Sequence, residues 1–399
     1  MTENQGGKLV KFSDLFVFNL KFICAWLVVC VSILIGGSPM VLKFFPKEIL
    51  WGYWGGGCLC LYGLMFWSHR VDSFLSEKKA LVFVVLLYFL FTAIFFLMYG
   101  FANSGAIGGG SDNDDAYNLA VRAILSGNYP YKQYTYLGNG VAYFPGAIFL
   151  AIPSVMLGNA ALQNLFWLVP MLVFLRKFLG TWKAPLFIFS VLIFCPAFFQ
   201  TIVTGSDLIA SGCYIFMAFI LLIELVRFNA PLGFRIAAIV FLGVALSSRA
   251  NYLFNIPLLW AALARLRGPK VSFFYICGIG FVSALITFPF YFISPQNFAP
   301  FVEQGGKLSQ FESILPHASI LIPLISFLVS IALSFAIDLS KRVSFLLCCS
   351  VVQVLPLFAV IFLSTKMSGE LQLWPAGYFF HFMFFSLSAG WLMLRQNRT

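Results

Sequence analysis

Three aspartates stand within four positions of one polar segment, and they are the residues of this chain best suited to chemistry. Asp112, Asp114 and Asp115 are three of only 14 acidic residues among 399. A carboxylate can act as a general base on a hydroxyl group. Carboxylates and water can also hold Mg²⁺ or Mn²⁺. The cluster predicts a catalytic or metal-binding site, and nothing in the sequence makes a metal necessary.

A structural explanation of the same cluster stays open at the level of sequence. The stretch 116–125 reads as a helix, and aspartate is favoured at a helix start as a cap and by the helix dipole. One aspartate is enough for a cap, so three favour chemistry. Asp112 and Asp114 are the two candidates for a base, with Asp115 as a cap or rim residue.

Two more charged residues stand at the edges of apolar segments. Asp207 opens a predicted helix, where it either caps the helix or lines a site at the membrane edge. Arg249 lies between two short apolar segments. Its guanidinium either snorkels to lipid headgroups or binds a lipid phosphate through its planar fork, and we favour the phosphate.

A second polar loop, 294–317, adds further candidates. His317 ends this loop, and although a lone histidine is usually structural, one near a phosphate could donate a proton to a leaving group. Glu312 of the same loop could contact a polar acceptor. No nucleotide-binding phosphate loop, zinc motif or Ser-His-Asp grouping is present in the sequence.

The elements that must position these residues are membrane helices. Hydrophobic residues make up 61% of the chain and charged residues 10%, whereas a soluble domain has roughly 45–50% and about 25%. Apolar runs of about 20 residues recur, each long enough to cross the bilayer as a helix. The runs are continuous rather than alternating, which excludes a barrel. The sequence therefore predicts an all-α, polytopic membrane protein with one transmembrane domain over 1–399.

About a dozen membrane helices are predicted. They lie at 22–42, 49–67, 80–101, 160–175, 184–203, 208–226, 236–249, 253–264, 271–293, 318–338, 343–364 and 374–394. The segment 141–157 is also apolar, but it is interrupted by prolines and a glycine.

The distribution of basic residues decides whether 141–157 crosses. With both termini in the cytoplasm and this segment not crossing, 18 of the 25 lysines and arginines lie inside. A full crossing reverses this bias, so the positive-inside rule favours a juxtamembrane or re-entrant segment. The outer side then holds 102–157, with the acidic loop and juxtamembrane helices, and a second loop at 294–317. We expect a multi-pass protein of the plasma (inner) membrane.

The formal net charge of +11 does not indicate a nucleic-acid partner. The basic residues are scattered through short loops, as in membrane proteins, and do not form the clustered patch of a nucleic-acid site. The partners expected from the sequence are membrane lipids.

The acidic motif, the sequence LSGNYPY at 125–131 and the Tyr143-Phe144-Pro145 opening of the next apolar segment resemble the GT-C superfamily of membrane glycosyltransferases. Glycosyltransferase family 87 is the most similar member, and the resemblance covers about 80–265. It implies a polyprenyl-phosphate sugar as donor, a lipid or glycan as acceptor, and no required cofactor. It also implies a catalytic aspartate in the first outer loop.

The resemblance implies roles for other residues as well. Asp207 would orient the acceptor or a base, and aromatic residues beside the acidic motif, Tyr117, Tyr131 and Tyr143, would contact substrate. The sequence departs from the family pattern in having two helices before the helix that leads into the acidic loop. The expected activity is inverting transfer of mannose or another hexose at the outer face.

Two other functions remain as alternatives. A transporter or flippase of a lipid-linked glycan needs charges in the centre of the helix bundle, and apart from Arg249 few are visible. A polymerase or ligase of O-antigen also has large outer loops, but it depends on arginine or histidine there rather than on clustered aspartate.

Overall fold

The computed structural model describes residues 20–71, 74–104 and 110–395, without the side chains of 69–71 and 302–305. The two termini, whose cytoplasmic placement the sequence predicts, lie outside the described residues, as does 105–109 of the acidic loop. The described chain consists of α-helices with short π- and 3-10-helical segments and connecting loops, and it contains no strand. The predicted all-α class is confirmed, because continuous apolar runs satisfy their backbone hydrogen bonds within helices.

Seventeen α-helices make up the described part of the chain. They are α1 Leu20–Cys30, α2 Gly36–Phe44, α3 Lys47–Val71, α4 Glu77–Ala102, α5 Asn113–Leu125, α6 Pro145–Met156, α7 Gln163–Leu179, α8 Lys183–Leu192, α9 Pro196–Thr204, α10 Leu208–Arg227, α11 Leu232–Leu246, α12 Ile256–Arg267, α13 Pro269–Ile293, α14 Ala299–Ser309, α15 Ala318–Ala336, α16 Arg342–Ser368 and α17 Phe380–Arg395. A π-helical stretch, Val31–Ile35, joins α1 and α2 into one long helix.

Within the described residues, nine helices are long and apolar enough to cross a membrane, or ten if one bent pair counts as a span. This is fewer than the dozen predicted. The predicted span 184–203 is α8 and α9, which meet at 90° where Pro196 starts a new helix. The predicted spans 236–249 and 253–264 are the short helices α11 and α12, separated by the 3-10 turn Ala250–Asn255.

Polar contacts gather at two opposite ends of the bundle. At the lower end, Glu224 of α10 accepts from Arg342 of α16 at 3.0 Å, and Val226 O accepts from Arg267 Nη2 at 3.0 Å. The upper end is where α4, α9 and α11 finish and where the acidic segment lies. Basic residues in the last turns of α7, α10 and α12 all lie at the lower end.

Helix α6 begins and ends at the upper end. The amide of Gly146 in its first turn donates to Ser247 O, just after α11, at 3.3 Å. Asn159, just after α6, donates to the hydroxyl of Tyr99 near the end of α4 at 2.9 Å. With only 12 residues, α6 is also too short to cross about 30 Å of hydrocarbon.

The centre of the bundle is formed by α10 and α17, the most deeply buried of the apolar helices. The two helices approach closely at Gly212, where a Cβ atom would lie 2.4 Å from the carbonyl oxygen of Phe380. Small residues allow such an approach between membrane helices. The rigid centre carries Asp207 at the first turn of α10 to the upper end.

Candidate functional site

Asp112 stands at the start of α5 but does not cap that helix. Its Oδ2 atom accepts instead from Thr135 Oγ1 and from Asn139 Nδ2, both at 2.7 Å. The loop after α5 therefore folds back and fixes this carboxylate, while Oδ1 has no hydrogen bond to the described residues. Capping does not explain Asp112, and one of its oxygens is left for another partner.

Asp114 lies two residues further along, in the first turn of α5, and is buried at 6% exposure. Its carboxylate accepts a short hydrogen bond from the hydroxyl of Tyr99, and Asn159 holds the same hydroxyl at 2.9 Å. Burial raises the pKa of Asp114 above its ordinary value, although the Tyr99 hydrogen bond opposes the shift. Asp114 thus ties α5 to the end of α4.

Asp115 has a third, different role. Its Oδ2 accepts from the backbone amide of Tyr136 at 3.0 Å. This bond anchors the tip of the loop that also holds Thr135 and Asn139. The three carboxylates of this segment therefore point at different partners.

Asp207, Arg249 and Tyr117 form a buried polar cluster beside the acidic segment. Arg249 Nη2 donates to Asp207 Oδ2 at 2.5 Å, and the Tyr117 hydroxyl donates to the same oxygen at 2.8 Å. Asp207 is 1% exposed, and its other oxygen, Oδ1, has no partner within the described residues. Like Asp112, Asp207 stands at a helix start without capping it.

Local chain geometry brings the two charges together. Gly205 ends α9 in the left-handed region, at φ +70°, and turns the chain so that Asp207 opens α10. A Cβ at Gly205 would lie 2.6 Å from Ala161 Cβ and 3.3 Å from Asp114 Cβ. Arg249 is extended between α11 and the following 3-10 turn, so its side chain leaves the helix axis and reaches Asp207.

The three tyrosines predicted to contact substrate belong to this cluster or pack beside it. The rings of Tyr117 and Tyr143 are stacked with their centres 4.0 Å apart, and the Arg249 guanidinium lies 6.0 Å from the centre of the Tyr143 ring. Tyr131 is buried and donates to Tyr143 O at 2.9 Å. Burial raises the pKa of the Tyr117 hydroxyl, which therefore stays protonated and donates to Asp207.

A polar cavity of about 370 Å³ opens at the upper end. Three of the predicted site residues line it: Asp112, Tyr143 and Arg249. Asp114, Asp115, Asp207, Tyr117 and Tyr131 stand behind these residues and hold them in place. The structure thus collects residues from the acidic loop, from the start of α6 and from the turn after α11 around one space.

The cavity also has lining residues that the sequence alone did not single out as site residues. They include Asn113, Asn139, Gln200 and Tyr378. Lys307, which the sequence offers as one of several outer-loop residues that could contact a polar acceptor, lines the cavity as well. Lys307 carried a usable signal, because it is one of the few basic residues that the positive-inside rule leaves outside. Gln200 and Tyr378 are ordinary residues for a membrane-helix end, and only the packing of α9 and of the segment before α17 reveals them.

His317 and Glu312 do not reach the cavity. His317 is exposed and begins α15 in the left-handed region at φ 61°. Glu312 is exposed too and accepts from Ser319 Oγ at 2.6 Å. The second polar loop instead supplies Lys307 from α14, since α14 folds this loop back toward the acidic segment.

An apolar groove of about 360 Å³, here called the first groove, adjoins the cavity. Its walls are α11, α13, α14 and the turn Ala250–Asn255. Phe144 lines both spaces, and Ser247 and Ala250 in the groove flank the stretch that holds Arg249. A molecule with a charged head and an apolar tail fits this continuous shape.

No three His, Cys, Asp or Glu side chains converge as a metal site in the part of the chain that the structure describes. Two carboxylates with water could still hold one hard cation.

The chain matches no known family model, no curated protein and no solved structure.

Proposed function

We propose that this chain is a GT-C-like membrane glycosyltransferase that moves mannose or another hexose from a polyprenyl-phosphate donor to an acceptor hydroxyl. The observation that carries the proposal is the position of Asp112 and Arg249 on one polar cavity that adjoins an apolar groove. A base, a phosphate-binding cation and a place for a lipid tail are the three parts that such a transfer needs.

The donor occupies the cavity and the first groove together. Its phosphate binds the guanidinium of Arg249, whose planar fork suits phosphate, and Lys307 adds a second positive charge at the rim. Its polyprenyl chain lies along the first groove, where the lining is almost wholly apolar. Asp207 holds Arg249 in position, so the cation is fixed before the donor arrives.

Asp112 is the general base in this proposal. It lines the cavity and keeps one oxygen without a hydrogen bond to any described residue, whereas Asp114 is buried against Tyr99 and Asp115 is bonded to the loop backbone. Thr135 and Asn139 orient the Asp112 carboxylate. Of the two candidates that the sequence offers, geometry favours Asp112.

The reaction is a single displacement. Asp112 takes the proton of the acceptor hydroxyl, and the oxygen attacks the anomeric carbon of the sugar. The bond between that carbon and the phosphate oxygen breaks, and its electron pair leaves with the polyprenyl phosphate, whose charge Arg249 stabilises. One displacement inverts the anomeric centre, and no metal is required.

The charge distribution supports an outer-face reaction. Most basic residues lie at the lower end of the bundle, and the cavity opens at the other end, so the positive-inside rule directs the cavity away from the cytoplasm. The proposal accordingly places the protein in the plasma membrane, with both termini inside.

One observation favours the rival function, a flippase of a lipid-linked glycan. The ion pair of Arg249 and Asp207 is buried among membrane helices, and charges in such places often lie on transport paths. A flippase would move the intact lipid-linked glycan and leave every covalent bond of it unchanged.

Purified full-length protein in lipid nanodiscs, incubated with a panel of polyprenyl-phosphate sugars and a membrane extract as acceptor, separates these functions. We expect loss of one donor and release of free polyprenyl phosphate by mass spectrometry. Intact donors throughout the panel, together with movement of the lipid between leaflets of liposomes, would favour the flippase.

A further inference from the structure

A second apolar groove reaches the cavity from a different set of helices. This second groove, of about 310 Å³, lies between α2, α4 and α9, whereas the first groove lies between α11, α13 and α14. Its lining is apolar, with Met98 of α4 and Phe44 at the end of α2 partly exposed to the surroundings. A lipid chain can therefore enter it from the bilayer.

Gln200 of α9 connects this second groove to the cavity, because it lines both. Its side-chain amide makes no hydrogen bond to the described residues, and its backbone oxygen accepts from Thr204 Oγ1 at 2.8 Å. A side-chain amide with free donors and acceptors, placed between an apolar groove and a polar cavity, can bind the polar atoms that join the chain of a lipid to its head group.

The rim of the second groove carries a cation. Lys43, in the last turn of α2, is exposed, and its ammonium lies 5.3 Å from the centre of the Phe44 ring. Among the described residues no carboxylate pairs with Lys43, whereas nearby Lys47 is paired with Glu370 at 3.0 Å. An anionic group on the bound molecule would meet this unneutralised charge.

We infer that the acceptor is itself a membrane lipid, held in the second groove. Its apolar chain lies between α2, α4 and α9, its phosphate lies near Lys43, and its hydroxyl passes Gln200 into the cavity to reach Asp112. This inference rests on the proposed function, and it excludes a soluble glycan or a peptide as the principal acceptor. Two lipids then meet head to head, each with its own groove.

The test uses the full-length protein in nanodiscs and the radiolabelled polyprenyl-phosphate sugar that the donor panel identifies. Total membrane lipid and a mixture of water-soluble oligosaccharides are supplied in separate reactions. We expect the label to appear in a new lipid that partitions into organic solvent and is distinct from the donor. Label that moves only into water-soluble products overturns the lipid acceptor while leaving glycosyl transfer intact. A donor that is never consumed overturns both.

Substitutions within the groove give a second readout. Val203→Trp fills the second groove, and we expect it to raise the KM for the acceptor lipid about tenfold or more, the effect of about 1.4 kcal/mol, with donor affinity unchanged. Lys43→Gln should raise the same KM. The matched control is Val85→Trp, on α4 but outside both grooves and facing outward. An equal KM for Val203→Trp and Val85→Trp contradicts the inference.

Discussion

Arg249 and Asp207 stand 42 positions apart in the sequence and form one buried ion pair, with 2.5 Å between Nη2 and Oδ2. The hydrogen bonding of the pair is incomplete, because Arg249 Nε and Asp207 Oδ1 lack partners among the described residues. A buried ion pair with spare hydrogen-bonding capacity beside a cavity is suited to binding a charged ligand rather than to stability alone.

Arg249 is expected to bind the donor phosphate. Arg249→Ala alone leaves Asp207 buried and unpaired, which costs about 3–5 kcal/mol of stability, so the informative variant is the double change Arg249→Ala with Asp207→Asn. Its affinity for polyprenyl phosphate, measured by calorimetry, should fall by about 1.5–3 kcal/mol, the value of a charged hydrogen bond.

Two controls accompany this measurement. Asp207→Asn alone keeps the guanidinium and should keep most of the affinity, and Arg249→Lys keeps the charge without the planar fork and should fall between the two. Wild-type affinity in the double variant would leave Arg249 as a structural partner of Asp207 only.

Asp114 is expected to make stability depend on pH. Because burial raises its folded-state pKa above the ordinary 3.8, the folded state holds this proton more tightly than the unfolded state. Its contribution to stability is complete below pH 3.8 and is lost as the pH rises through the folded pKa. Asp114→Asn removes the ionisation and still accepts from Tyr99.

The measurement is the difference in Tm between Asp114→Asn and the wild type, in detergent, from below pH 3.8 to above the folded-state pKa of Asp114. We expect the Tm of Asp114→Asn to increase relative to that of the wild type as the pH rises. A difference in Tm that stays constant with pH would contradict the raised pKa of Asp114.

Gly205 is expected to be intolerant of a side chain for two separate reasons. Its left-handed φ costs other residues about 1–2 kcal/mol, and a Cβ there would clash with Ala161. Gly180 is the matched control, since it has φ +82° but open space around it. Thermal unfolding should show a larger loss of Tm for Gly205→Ala than for Gly180→Ala. Equal losses of Tm would mean that Ala161 and Asp114 shift freely to make room for the new Cβ atom.

The cavity end of the bundle is expected to face outward. In a background without the nine native cysteines, Lys132→Cys and Gly306→Cys should react with a membrane-impermeant maleimide in intact cells. Lys341→Cys, at the lower end, should react only after the cells are opened. The reverse pattern would place the cavity in the cytoplasm and remove the support for an outer-face reaction.

The residues of the candidate site could be singled out in the sequence wherever a residue type was unusual for an apolar chain. Asp112, Asp207 and Arg249 stood out in this way, and the structure brings all three to one end of the bundle. Residue type could not separate Asp112 from Asp114, because the difference arises from Tyr99 and from the returning loop at Thr135. His317 was chosen for its chemistry, yet the fold of its loop presents Lys307 instead.

The fold was predictable to the level of apolar helices but not to their number. Hydropathy averages over breaks, so the bend at Pro196 inside the predicted span 184–203 was not apparent, whereas the interruption between 249 and 253 was visible as two short apolar segments. Both breaks border the site, since Gln200 follows the first and Arg249 precedes the second. Irregular backbone at membrane depth is tolerated where it lines a cavity, and both breaks lie beside residues of the candidate site.

The most direct test of the account is the rate of sugar transfer by Asp112→Asn. Asparagine keeps an oxygen for Thr135 and Asn139 but cannot accept the proton of an acceptor hydroxyl. We expect transfer to fall by about 10²–10⁴ with Tm unchanged, while Asp115→Asn, the matched control, stays near the wild-type rate. A wild-type rate in Asp112→Asn, with the loss found in Asp114→Asn instead, would contradict the assignment of Asp112 as the base.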